Sequence, residues 1–233
     1  MDNDEILLSV IIPVFNEELT ISTVIDRLKS VLKKEDFRWE IIVVDDFSTD
    51  RSLSLSLNKG VRVLSLKKHV GKGCALRVGF SKSLGTLVTT IDSDGSHRPE
   101  EIPLLLTPML ENKADLIIGS RYLMKTSTKI KRFNFLGVQL FNHLIHFLVK
   151  SKVSDSQSGY RIMKSEILQN MSLKSGGYEI ESEMLVKTAK MGYKIKEVPI
   201  CFEQRTYGKS SLDPIVDGFK ILMSIILAYL QDR

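Results

Sequence analysis

Asp92-Ser93-Asp94 places two carboxylates one residue apart. They follow Leu87 to Ile91, a short run rich in Val, Thr and Ile that reads as a buried strand. Like charges at a strand end repel unless something positive stands between them. A hard divalent cation, Mg²⁺ or Mn²⁺, takes oxygens from one or two carboxylates plus substrate phosphates. Asp92 and Asp94 are therefore the candidate metal ligands. The competing reading is a solvated Asx-turn ahead of Gly95.

Three more stretches carry groups able to do chemistry. Trp39 to Val44 reads as a strand that runs into Asp45-Asp46, where open α/β sheets place their ligands. The alternative for that pair is helix N-capping and solvation, and Asp50, after Ser48-Thr49, reads as such a first-turn carboxylate. His69-Val70-Gly71-Lys72-Gly73 opens a helix over Cys74 to Leu84, and a Gly-rich turn with a lysine at a helix start can hold phosphate. It is neither a dinucleotide fingerprint, since Leu76 stands at the third glycine position, nor a Walker A loop. His69, with no second His at a metal spacing, reads as a polar loop residue. Gln204 to Ser211 is a polar, basic loop containing Arg205, Gly208 and Lys209.

These groups need a scaffold. Leu7 to Pro13 reads as a first strand ended by Pro13, which has no N–H to donate. A helix from an N-cap at Thr20 follows, with Ile21, Val24, Ile25, Leu28, Val31 and Leu32 on one face. Val61 to Leu66 and Leu116 to Gly119 are further strands, the latter ending in Ser120-Arg121-Tyr122, and Pro99 to Glu111 is a helix. This alternation predicts an α/β fold with a doubly wound, mostly parallel sheet flanked by helices. Beyond Tyr122 comes a basic run (Lys125, Lys129, Lys131, Arg132). Phe133 to Val149 then reads as a helix, either of the core or lying in a bilayer interface. Asp155 to Arg161 is a polar turn before a strand, Ile180 to Met191 a helix, Ile195 to Phe202 a strand and Ile215 to Leu230 a last amphipathic segment.

Composition sets outer limits. With 233 residues the chain can bury a large core without staples. A net charge of +5 favours anionic partners: nucleotide phosphates or an acidic membrane surface. No nucleic-acid recognition module is present, so nucleic acid is not expected. Cys74 and Cys201 form no ligand pair, and the acidic start Met1 to Glu5 has no secretory n-region, so a reduced, cytoplasmic protein is expected. No apolar run reaches the roughly 18 residues that suggest a membrane span.

Six stretches together resemble the family 2 glycosyltransferases of GT-A fold, of the polyprenyl-phosphate (dolichyl-phosphate mannose synthase-like) type. They are Pro13-Val14-Phe15-Asn16-Glu17; Val43-Val44-Asp45-Asp46 with Ser48, Thr49 and Asp50; Asp92-Ser93-Asp94; Gly119-Ser120-Arg121-Tyr122; Ser158-Gly159-Tyr160-Arg161; and Arg205 with Gly208-Lys209-Ser210. Two positions depart: Ser96 stands where the family often has Gln, and Ser211 where it often has Lys.

The resemblance implies one GT-A domain over residues 1–233. Its nucleotide-binding half would be 1–122 and its acceptor-side half 123–233, with amphipathic segments 133–149 and 215–230 at the periphery. It also implies that Pro13, Phe15, Glu17, Val44 and Asp46 contact the nucleotide, and that Asp92, Ser93 and Asp94 meet the diphosphate and a Mg²⁺ or Mn²⁺ ion. Arg121 and Arg205 would contact phosphates. Cations must hold the two anionic substrates together, and Arg121, Arg161, Arg205 and Lys209 are the candidates, with Lys72 a further phosphate contact. The implied reaction inverts a hexose from a nucleoside-diphosphate sugar, of GDP-mannose or UDP-glucose type, onto a polyprenyl or dolichyl phosphate. It would take place peripherally at the cytoplasmic face of a membrane. A lipid phosphate needs no strong base. Two alternatives remain: a glycan hydroxyl acceptor, which needs a base such as Glu181 or Glu183, and a non-catalytic nucleotide-sugar-binding module.

Overall fold

The computed structural model describes residues 6–124, 132–203, 205, 207 and 213–231. Its strands are β1 (Ile6–Val14), β2 (Arg38–Asp45), β3 (Arg62–Ser65), β4 (Leu87–Thr90), β5 (Leu116–Ser120), β6 (Arg161–Lys164) and β7 (Ile195–Pro199). The helices are α1 (Ile21–Leu32), α2 (Ser52–Leu57), α3 (Lys72–Lys82), α4 (Ile102–Leu110), α5 (Arg132–Val149), α6 (Ser165–Gln169), α7 (Ile180–Lys190) and α8 (Val216–Leu230). A short 3₁₀ turn, Pro99–Glu101, leads into α4.

The strands form one seven-stranded sheet in the order β3-β2-β1-β4-β6-β5-β7. All pairings are parallel except those of β6, which runs antiparallel between β4 and β5. The mostly parallel sheet is as the sequence predicts. The inserted antiparallel strand is not, because strand neighbours are set by contacts far apart in sequence. Both faces are covered, so the central strands are apolar on both sides. On one face Leu8, Val10 and Ile12 meet Ile21, Ile25 and Leu28 of α1 and Leu105 of α4. On the other Ile11, Ile42 and Val44 meet Ala75 and Leu76 of α3, Ile145 of α5, Leu185 of α7 and Ile225 of α8.

Pro13 does not end β1; it lies inside it, paired with Val44 of β2. The backbone explains this. The Ile11 carbonyl faces β4, where it accepts the Ile91 N–H. Pro13, two residues on, faces the same side, beyond the point where β4 stops at Thr90. Its missing N–H therefore interrupts no ladder.

Segments 133–149 and 215–230 are each two-faced. In α5, Val138, Phe141 and Ile145 are buried while Leu136, Leu140 and Phe147 are exposed. In α8, Ile221, Ile225 and Ala228 are buried, while Phe219, Leu227 and Leu230 are exposed. Among the described residues no helix is long and apolar enough to cross a membrane.

Candidate functional site

The cleft opens where the parallel strands end, and hydrogen bonds between the connecting loops build its walls. After β1, the N–H groups of Glu17 and Glu18 donate to Ser52 Oγ at 2.7 Å and Asp50 Oδ2 at 3.0 Å. Asn16, in the left-handed region at φ 55°, accepts the Thr49 N–H at 2.8 Å. Thr20 makes no side-chain cap to α1; its hydroxyl turns back to Glu17 Oε2 at 3.1 Å. The loop after β1 is thus tied to the loop after β2, and Phe15 and Glu17 are held at the cleft.

Asp46 is part of this frame. Its two carboxylate oxygens accept the Val70 and Gly71 N–H groups at 2.8 Å each, and His69 Nδ1 lies 2.8 Å from Oδ2. The carboxylate thereby clamps the glycine turn, because those backbone donors reach both oxygens. The His69 ring stacks on Phe15 with centroids 3.9 Å apart, forming an aromatic shelf at the cleft mouth that the sequence reading missed. Val44, also expected at the nucleotide, has a fully buried side chain in the core on the α3 side. Pro13 offers its carbonyl to Ser93 Oγ at 2.9 Å, which ties the D-x-D segment to β1.

The glycine turn is not an open phosphate cradle. The Gly176 carbonyl accepts the Cys74 N–H at 3.2 Å. A Cβ at Gly71 would lie 2.5 Å from the Gly176 carbonyl oxygen, and one at Gly73 2.6 Å from that of Ser175. The two glycines are needed so that the 175–177 backbone can close on the start of α3. Lys72 therefore points inward. Its Nζ lies 2.7 Å from Asp92 Oδ1 and 2.7 Å from Glu181 Oε1. Burial works against its charge, but these two carboxylates outweigh burial and hold the ammonium well above the usual lysine range. Burial likewise opposes ionisation of Asp92, and Lys72 followed by His97 overcomes it, leaving the carboxyl down at about 2.

His97 is buried, and its Nδ1 accepts the Asp92 N–H at 3.5 Å. Burial pushes its pKa down against the pull of Asp92 and Asp94. Asp94 has other partners: Oδ1 accepts the Ser96 N–H at 2.9 Å and Oδ2 lies 4.0 Å from Arg205 Nε. The Arg205 guanidinium also contacts the Glu17 carboxylate. Arg205 thus joins Glu17 and Asp94, brought together from three distant stretches. Lys209 lies outside the described residues.

Arg121 makes a bidentate pair with buried Asp155, its Nε and Nη2 each 2.7 Å from a carboxylate oxygen. Burial opposes the charge, but Asp155 prevails and keeps the guanidinium ionised. Arg121 still has N–H groups beyond that pair, so a phosphate contact is compatible with it. Asp155 is itself held by Glu197 Oε1, which accepts its N–H at 2.9 Å. The neighbouring loop is tied to Asn142 of α5, whose amide oxygen accepts the Ser156 N–H at 3.1 Å.

Arg161 does not face the cleft. It is fully buried and donates to the carbonyls of Ser158, Ser156 and Glu181 at 2.8, 2.6 and 2.6 Å. Burial brings its pKa down to about 10. Glu183, the other candidate base, accepts the Ser175 N–H at 2.8 Å and pairs with Lys187 at 2.6 Å, away from Asp92's ion pair.

Asp92 and Asp94 supply the carboxylates of the D-x-D segment, and among the described residues no group of three or more His, Cys, Asp or Glu is placed to hold a metal. That set fits a hard divalent cation that takes its remaining ligands from a diphosphate. It does not fit a metal held by protein alone.

The family model for glycosyl transferase family 2 matches residues 9–171. The chain is a family 2 glycosyltransferase. The transferase is 30% identical to the dolichyl-phosphate hexose transferase of Haloferax volcanii, covering 97% of this chain and 95% of that one. It is 32% identical to glycosyltransferase AglJ of the same organism, covering 93% and 70%. Its fold matches that of glucosyl-3-phosphoglycerate synthase from Mycobacterium tuberculosis, solved with Mn²⁺, UDP and glucosyl-3-phosphoglycerate. The TM-score is 0.77 at 24% identity, over 97% of this chain and 81% of that one. The fold of the transferase is therefore GT-A.

Proposed function

We propose that the transferase moves a hexose from a nucleoside-diphosphate sugar to a polyprenyl or dolichyl phosphate, with inversion and with Mg²⁺ or Mn²⁺. One observation supports this above others. Among the described residues the carboxylates around Lys72 and Arg121 stand against cations: Asp92 and Glu181 against Lys72, and Asp155 against Arg121. A carboxylate held by a cation is a poor base. Such a cleft suits an acceptor that arrives already ionised, as a phosphate monoester does with a second pKa of about 6. A glycan hydroxyl would need Glu181 freed from Lys72. The name of the Haloferax volcanii relative points the same way.

In this reading Asp94 and Asp92 would hold the cation, which stabilises charge developing on the leaving diphosphate. Phe15 and His69 border the base, Arg121 faces the phosphates, and Arg205 leaves Glu17 for the diphosphate oxygens. The exposed apolar faces of α5 and α8 support peripheral contact with the membrane that holds the lipid.

The test is a screen of sugar nucleotides against polyprenyl phosphate and against the matching unphosphorylated polyprenol, with products weighed by mass spectrometry. Hexosyl phosphate-linked lipid from the phosphate alone, lost in excess chelator, is expected. Full activity in chelator would remove the metal from the scheme. Transfer only to a glycan hydroxyl would overturn the acceptor.

A further inference from the structure

The Lys72 side chain is largely covered, yet it comes from the glycine turn that opens α3, and its two partners come from the D-x-D segment and from α7. Gly71 and Gly73 hold the Lys72 backbone against the carbonyls of Ser175 and Gly176. The backbone that carries Glu181 is held by Arg161 Nη1, which donates to the Glu181 carbonyl at 2.6 Å. One oxygen of Asp92 is thus taken by the Lys72 ammonium at 2.7 Å. On the outer side the Arg205 guanidinium stands against Glu17 and within 4.0 Å of Asp94.

We propose that Lys72 neutralises the D-x-D site from within, so that the divalent cation enters as its complex with a nucleoside diphosphate rather than ahead of it. The inference rests on the metal-assisted donor chemistry of the previous section. A bare cation meets a carboxylate already matched by Lys72 and a second one near a guanidinium, and gains few ligands. The diphosphate complex brings its own oxygens as ligands and offers Arg205 anionic partners in place of Glu17. Lys72 is a positioning residue here, acting on the cation through Asp92.

Titration with Mn²⁺, following loss of the electron paramagnetic resonance signal of the free ion, tests this without turnover. The native protein should bind Mn²⁺ alone at least about tenfold more weakly than in the presence of UDP or GDP, each corrected for Mn²⁺ held by nucleotide in solution. Lys72→Met should bind Mn²⁺ alone about tenfold more tightly than the native protein, because a nearby cation is gone. Loss of a merely architectural lysine would lower that affinity instead. Where Lys72→Met does not fold, the double variant Lys72→Met with Glu181→Gln removes the buried charge imbalance and is held to the same criterion. Tight Mn²⁺ binding by the nucleotide-free native protein, or unchanged Mn²⁺ affinity on removing Lys72, overturns the inference and leaves the donor reading standing. Absence of Mn²⁺ binding with either nucleotide overturns both.

Discussion

A methyl group at position 159 would sit 2.8 Å from the Lys72 ammonium and 3.0 Å from both Asp92 oxygens. Gly159→Ala should therefore displace that ion pair, at an overpacking cost of about 1–3 kcal/mol. Turnover should fall at least about tenfold while the melting temperature drops by only several degrees, since a well-folded domain tolerates such a loss. Comparing kcat with thermal melts checks this; an active Gly159→Ala would mean the ion pair is not needed. Arg205 supports a second prediction at this scale. Its guanidinium can bridge two phosphate oxygens in a fixed fork, which an ammonium cannot. Arg205→Ala should cut turnover strongly and Arg205→Lys should recover only part. A Lys variant indistinguishable from the parent in steady-state kinetics would remove Arg205 from the diphosphate. The sequence marked Arg205 and Gly159 through their motifs, but the Glu17 contact and the ion pair behind Gly159 join stretches far apart in the chain.

Between the glycine turn and α7, loop 174–177 is held by two carboxylates: Glu179 Oε1 accepts the Gly176 and Gly177 N–H groups, and Glu183 accepts the Lys174 and Ser175 N–H groups and the Lys187 ammonium. For Glu183 the charge matters. Burial raises its pKa, but the Lys187 bond and then those of Ser175 and Lys174 outweigh burial and hold it below the usual 4.5. A depressed carboxyl stabilises the fold fully above its unfolded pKa. That stability is lost as pH falls from about 4.5 through the lower folded value. Glu183→Gln should cost about 1.5–3 kcal/mol near neutral pH, and the gap to the native protein should close in that acid window. Urea melts at several pH values would show it; a gap independent of pH down to the acid limb would refute the charged anchor. The polar breaks in α5 have a similar explanation. Asn142, polar within an otherwise apolar stretch of α5, holds the loop that carries Asp155 to Arg121.

For the whole molecule, α5 and α8 contribute to the core with one face and expose Leu136, Leu140, Phe147, Phe219, Leu227 and Leu230 with the other. If these faces meet lipid, the transferase should float with liposomes, more so with anionic lipid and less at raised salt. Leu140→Glu with Phe219→Glu should abolish flotation and lower activity on membrane-embedded acceptor, without changing the melting temperature by more than a degree or two. A protein that stays with the soluble fraction under every lipid and salt condition would show that these faces do not dock on membranes. Lys209 and the basic run from Lys125 to Lys131 lie outside the described residues.

Periodicity and turn chemistry by themselves determined the order of most strands and helices, the mostly parallel sheet and the cleft at the ends of β1, β2 and β4. These are local properties: apolar alternation, capping residues and acidic strand ends are all readable within a dozen residues. The six motifs added the family. Tertiary structure decided which charged groups face ligand and which face one another. Arg161 reads as an anion contact because two anionic substrates need cations to hold them together, yet three carbonyls from the 156–158 turn and α7 converge on it. Lys72 reads as a phosphate ligand because a glycine turn precedes it, yet the 175–177 backbone closes that turn and sends the lysine to Asp92 and Glu181. The antiparallel β6 was equally illegible. Pairing partners, ion-pair partners and the side from which a turn is covered depend on segments that meet only when the chain folds.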